Sequence, residues 1–247
     1  MIEGHFIVLE GIDGSGTTTQ VEILAERLTN RGLPAHPTRE PSDGPIGVLI
    51  AEPGGQNAML ADSSALPEQV VLDVVASAFN SAGQRCSALR VLCLQDDIAP
   101  RVLELLSGYM DEQRIGDPMM LSTDVGPVID EQALAGLQAH VQRMERDHRL
   151  IARTPVPAGL DGHYIAPCAF EIDSIGVLEK EVFGPILHVY RYNARDLEKT
   201  VDAVNATGYG LTMGLHTRID ARARQLSELS GAGNIYINRN MIGAVVG

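Results

Sequence analysis

Residues 11–20 read GIDGSGTTTQ between the apolar run HFIVLE and the amphipathic VEILAERL, so a buried strand passes through a glycine-rich turn into a helix. Backbone N–H groups at such a helix start can hold a phosphate. The phosphate-loop pattern G-x-x-x-x-G-K-[ST] is met by Gly11, Gly16 and Thr18, with Gly14 and Ser15 inside the loop, but Thr17 stands where the lysine belongs. At about 4 Å and an effective ε of about 20 the missing charge is worth roughly 4 kcal/mol. The stretch therefore reads as a weakened anion site, for which ATP and Mg²⁺ are the cofactors to expect.

A second stretch, GQRCSA, carries a thiol. Cys86 follows a helix and a glycine, where a turn exposes a side chain, and Arg85 stands beside it. A free thiol with a pKa of about 8.5 needs activation to act as a nucleophile. Cys93 in VLCLQ and Cys168 in APCAF sit in apolar strand-like runs and read as inert core. Glu52 in EPGG is a carboxylate suited to general-base work if it faces a dry thiol pocket; on residue type alone it is a solvated glutamate at a loop start. The seven histidines show no metal-ligand spacing, so no metal is expected. HVQRMERDHR reads as a solvated helix face.

At 247 residues with 45% hydrophobic and 21% charged residues, the chain has the composition of a soluble protein of one or two domains. Its 32 acidic against 19 basic residues give a net charge of −13, which opposes attraction to nucleic acid or anionic membranes. The expected partner is a small-molecule substrate, with neither nucleic acid nor membrane, and a homo-oligomer is open. No leader or membrane-length apolar run is visible, so a cytoplasmic protein is expected. Three cysteines without a C-x-x-C pair argue against a disulfide framework or a zinc site.

These residues need elements to hold them. Val21, Leu24, Ala25 and Leu28 make one helical stripe, which Asn30-Arg31-Gly32 ends. Beyond residue 51, LPEQVVLDVVASAFNSAG predicts a helix opened by Pro67, RVLCLQ a strand and APRVLELLSGYMDE a helix. Further helices are expected over 130–147, 195–205 and 219–229, with extended segments at HYIAPCAFEI, GPILHVYRY, LTMGLHT and NIYINR. The pattern predicts an α/β fold with a largely parallel sheet, preceded by a phosphate-loop strand-turn-helix unit.

The first fifty residues resemble the amino terminus of thymidylate kinase, through FIVLEGIDGSG-TTQ and TREPSDGPIG. That resemblance implies that Arg39 meets a nucleotide monophosphate. Residues 51–247 resemble the aldehyde dehydrogenase family, and most closely its 1-pyrroline-5-carboxylate dehydrogenases. The carriers are EPGGQNAM, SAFNSAGQRCSALRVLCLQ, RIGDPMMLSTDVGPVID, KEVFGPILHV, ATGYGLTMGLHTRID and GNIYINRNMIGAVVG. A splice near DGPIGVLIAE is the simplest account, giving a chimera of a 1–50 segment and a 51–247 catalytic domain incomplete at both ends.

The dehydrogenase resemblance implies a catalytic-domain-like sheet with helices, NAD as cofactor and oxidation of glutamate semialdehyde to glutamate. It makes Cys86 the nucleophile and Glu52 the base. Glu181 becomes the ribose ligand and Phe183 the aromatic beside the nicotinamide, while Pro53 and Gly54 approach the nicotinamide amide. Pro53 departs from the family pattern, keeping its carbonyl but lacking an N–H. Ser87, Gly243 and Ala244 resemble the anchor for the substrate carboxylate. Most of the family's dinucleotide domain and its oxyanion asparagine find no match, and one lost oxyanion donor costs about 10²–10³ in turnover. Two rivals follow: nucleotide binding or phosphoryl transfer of the thymidylate kinase kind, for which the lid and base-recognition segments have no match, and a non-catalytic chimera or assembly protein.

Overall fold

The computed structural model describes residues 17–31 and 55–242. The chain divides into two units, Met1–Pro53 and Gly54–Gly247. In the first, α1 spans Thr17–Asn30, with Leu24, Ala25 and Leu28 of the expected stripe half-buried. The strand expected before it and most of the expected phosphate loop fall on residues outside the described ones.

The second unit is built on a seven-stranded sheet. Its strands are β1 (Ala58–Ala61), β2 (Val91–Gln95), β3 (Arg149–Arg153), β4 (Cys168–Ile172), β5 (Ile186–Tyr192), β6 (Thr212–His216) and β7 (Asn234–Ile237), in the order β3-β4-β5-β2-β1-β6-β7. All neighbouring pairs are parallel except β3 with β4. Parallel strands covered on both faces need apolar side chains on both. The central strands meet that need, for every residue of β1, β2 and β6 is buried.

The helices are α2 (Pro67–Phe79), α3 (Ala99–Glu112), α4 (Glu131–Asp147), α5 (Leu197–Asn205) and α6 (Asp220–Leu229). Proline at the first turn opens α2 and α3, where its missing N–H costs nothing. Asp130 caps α4 by accepting from the Ala133 N–H at 2.7 Å. Phe79 from α2 joins Met59, Leu60, Leu92 and Phe170 of the sheet in the core, each such burial contributing roughly 1.5–3 kcal/mol.

Four expectations are corrected. The helix from Pro67 stops at Phe79 instead of running to Gly83, because Ser81, Ala82 and Gly83 all take positive φ. The extended segment expected over 163–172 forms a strand only at Cys168–Ile172, since Pro167 supplies no N–H for pairing. Two strands were not foreseen: β1, only four residues long and without alternation, and the edge strand β3, whose terminal arginines disguise it. Finally, HVQRMERDHR is not a uniformly solvated face. Met144 is fully buried, and His140 reaches the buried His188 with 2.8 Å between their Nε2 atoms, because one side of α4 packs against the sheet.

Among the described residues no helix is long and apolar enough to cross a membrane.

Candidate active site around Cys86

The turn after α2 carries Cys86 out of the core. Left-handed φ values of 56° at Ser81, 51° at Ala82 and 65° at Gly83 reverse the chain, and the Gln84 and Ala88 N–H groups close it on the Ser81 and Arg85 carbonyls, both at 3.0 Å. Such values are costly for side-chain-bearing residues and persist only where neighbours impose them. Gly83 answers a second demand, since a Cβ there would strike the Gly184 carbonyl. Cys86 is exposed at the end of this turn, whereas Cys93 and Cys168 are buried within β2 and β4.

Two buried side chains hold the turn. Asn57 donates from Nδ2 to the carbonyls of Cys86 at 2.6 Å and Ala88 at 2.8 Å, and its Oδ1 accepts from the Thr212 N–H at 3.2 Å. Arg90, only 1% exposed at the head of β2, donates from Nη1 to the carbonyls of Gly83 (2.7 Å) and Gly184 (3.2 Å), and from Nη2 to the Arg85 carbonyl (3.2 Å) and Glu181 Oε1 (3.0 Å). Its Nε is buried and has no partner among the described residues. Burial lowers the Arg90 pKa, opposed chiefly by the Glu181 carboxylate.

Arg90 thereby joins two segments distant in sequence, the thiol turn and residues 181–184. Its guanidinium carbon stands 5.3 Å from the Phe183 ring centroid, within cation–π range. That ring is 44% exposed. Glu181 has a side chain 14% exposed, and no hydrogen bond engages its Oε2 among the described residues. Gly55 approaches from the other side, where a Cβ would strike the Cys86 carbonyl oxygen. The end of the EPGG segment therefore abuts the thiol turn.

Beneath this turn runs a polar relay. Arg143 Nη2 lies 3.2 Å from His140 Nδ1, and His188 Nδ1 lies 3.0 Å from the Arg90 carbonyl. Because arginine only donates, His140 accepts at Nδ1, donates from Nε2 to His188 Nε2, and leaves the His188 Nδ1–H for the carbonyl. Burial, with the Arg143 charge on His140 and His140 itself on His188, pushes these imidazoles down to about 4 and about 3. Both rings stay neutral, as the relay requires.

Of the residues singled out from sequence, the structure brings the Cys86 turn together with Glu181 and Phe183, and Ser87 follows the thiol half-buried. Thr17 and Thr18 open α1. Gly11, Gly14, Ser15, Gly16, Arg39, Glu52, Pro53, Gly54, Gly243 and Ala244 lie outside the described residues. Asn57 and Arg90 escaped the sequence reading; a charged residue heading the apolar run RVLCLQ was the available signal for Arg90. Among the described residues no three histidine, cysteine or acidic side chains gather as a metal site would need.

An exposed thiol on a strained turn, tied through Arg90 to a partly buried carboxylate and an aromatic ring beside a largely parallel sheet, is the feature set of this unit. The chain belongs to the aldehyde dehydrogenase family, whose model matches residues 39–247. Among its relatives, the bifunctional protein PutA of Escherichia coli strain K12 is 48% identical over 97% of the chain and 18% of that protein. A 1-pyrroline-5-carboxylate dehydrogenase of Geobacillus kaustophilus is 31% identical over 90% of the chain and 42% of that protein. A solved structure of Bradyrhizobium japonicum proline utilization A superposes with a TM-score of 0.77 at 49% identity, covering 93% of this chain and 22% of that one. The 1-pyrroline-5-carboxylate dehydrogenase from Thermus with bound NAD gives a TM-score of 0.73 at 29% identity over 79% of this chain and 38% of that one. The chain thus spans about a fifth of the PutA proteins it matches. A thymidylate kinase model also matches residues 9–66, overlapping the dehydrogenase match across 39–66. The PutA alignments, at 97% of the chain, extend into the same amino-terminal stretch.

Proposed function

We propose that this chain carries the thiol-bearing part of an NAD-dependent oxidation of L-glutamate γ-semialdehyde, the open form of 1-pyrroline-5-carboxylate, to glutamate. The observation that carries the reading is the exposed Cys86 held on its turn against the Glu181–Phe183 segment by Arg90. The relatives named 1-pyrroline-5-carboxylate dehydrogenase support the substrate.

The residues present fit the nicotinamide end of NAD: Glu181 keeps Oε2 for ribose hydroxyls, and Phe183 offers an exposed ring. NAD supplies the two-electron acceptor. The Cys86 sulfur attacks the aldehyde carbon, giving a thiohemiacetal, and oxidation leaves a thioester on the same sulfur. Glu52 takes a proton from the water that hydrolyses it, releasing glutamate and the free thiol. Pro53 and Gly54 would serve the nicotinamide amide through their backbone, and Ser87, Gly243 and Ala244 would hold the substrate carboxylate. Glu52→Gln should trap the acyl group on the Cys86 peptide, seen as a mass increase after incubation with pyrroline-5-carboxylate and NAD. An unmodified peptide in that variant alongside an active unsubstituted protein would remove Glu52 from the scheme.

A further inference from the structure

Arg90 does more than fill a core position. An arginine fully sequestered from water must satisfy its donors locally, and four bonds here reach two separate segments: the carbonyls of Gly83 and Arg85 on the thiol turn, and Glu181 with the Gly184 carbonyl on the facing one. A merely structural cation would have its donors met by carbonyls and its charge offset by a fully committed carboxylate. This one shares a single oxygen of a carboxylate whose second oxygen has no hydrogen bond among the described residues, and its Nη2 reaches the carbonyl of Arg85, the residue next to Cys86, at 3.2 Å.

We propose that Arg90 is a positioning residue for Cys86, and that the Arg90–Glu181 pair is an adjustable charge beside the thiol: the guanidinium draws anionic reactants to the sulfur and Glu181 sets how much of that charge they meet. This rests on the reading of Cys86 as the nucleophile, and deepens it by naming the pair that sets the charge at the sulfur. A ribose hydroxyl donating to Glu181 Oε2 would draw carboxylate charge away from Arg90, so the positive field at the thiol would rise as the cofactor site fills. Arg85, exposed beside Cys86, contributes a constant charge from the rim.

The test needs no turnover. Alkylation of Cys86 by anionic iodoacetate and by neutral iodoacetamide is followed by peptide mapping at one pH, and the ratio of the two rates reports the local field. Arg90→Met lowers the iodoacetate to iodoacetamide ratio about threefold, and Glu181→Gln raises it by a similar factor, as expected for one charge at roughly 6 Å in a water-like dielectric. Arg90→Lys keeps the ratio near that of the unsubstituted protein while both rates change, since lysine retains the charge but cannot bridge four acceptors. A purely structural role moves both reagents together and leaves every ratio the same, and that result overturns the proposal. If Arg90→Met exposes Cys93 and Cys168 to labelling, showing that it unfolds, the direction of the Glu181→Gln change decides: a ratio that falls or stays constant refutes the charge pair. Loss of NADH formation with these ratios intact would instead count against the proposed reaction alone.

Discussion

Asn57 holds Cys86 by its backbone, donating to the Cys86 carbonyl at 2.6 Å from a side chain that is itself 3% exposed. The same amide grips Ala88 and accepts from Thr212, so the first residue before β1 spans the thiol turn and the start of β6. Asn57→Leu deletes three hydrogen bonds and leaves two carbonyls and an N–H buried without partners. At about 1–3 kcal/mol for each orphaned group, partly relieved by relaxation, a loss of about 3 kcal/mol is expected. Urea unfolding measures it, and a change below about 1 kcal/mol would show that the turn supports itself.

Gly83 and Gly159 make a matched pair. Both take positive φ, 65° and 82°, but a Cβ on Gly83 meets the Gly184 carbonyl while one on Gly159 meets nothing within 4 Å. Gly159→Ala should cost only the left-handed strain, about 1–2 kcal/mol. Gly83→Ala adds a collision with backbone and should lower the melting temperature much further. Equal effects would mean that the 181–184 segment does not press on the turn.

Two buried histidines, His188 and His216, and the half-buried His140 make the fold acid-sensitive. Burial holds His140 and His216 at about 4 and His188 at about 3, against about 6.5 in an unfolded chain. Between about pH 6.5 and 4 the unfolded state binds more protons, so stability is full above that window and falls as pH drops through it, by up to roughly 1.4 kcal/mol per pH unit for each histidine. The urea midpoint should therefore be lower at pH 5 than at pH 7.5, an interval in which ordinary carboxylates scarcely titrate. Replacing His188 by Gln should flatten the dependence; an unchanged slope would contradict it.

How much of this was legible in the sequence varied with the range of the forces involved. The exposure of Cys86 was legible because a helix followed by a glycine is a place where a turn can expose a side chain, its role came only from the family resemblance, and α2 and α3 were legible because proline marks their starts. β1 was hidden because four buried residues show no period, and β3 because Arg149 and Arg153 protect a sheet edge. Asn57 and Arg90 act through partners up to 155 and 94 residues away, which no local pattern encodes. His140 was misread for the same reason, since its partner His188 is 48 residues distant on β5.

The phosphate-loop stretch carries a prediction of its own. With Thr17 in the place of the lysine, titration with ATP and Mg²⁺ should give no heat beyond dilution, and Thr17→Lys should strengthen any nucleotide affinity by up to about a thousandfold. Micromolar ATP binding by the unsubstituted chain would revive a nucleotide function for residues 1–50.

The central claim is that Cys86 is a dehydrogenase nucleophile, and NADH formation from pyrroline-5-carboxylate and NAD tests it most directly when the chain and its Cys86→Ala variant are compared side by side. The account predicts absorbance growth at 340 nm from the unsubstituted chain and none from the variant, with matching melting curves. No NADH from either, or equal rates from both, would contradict it.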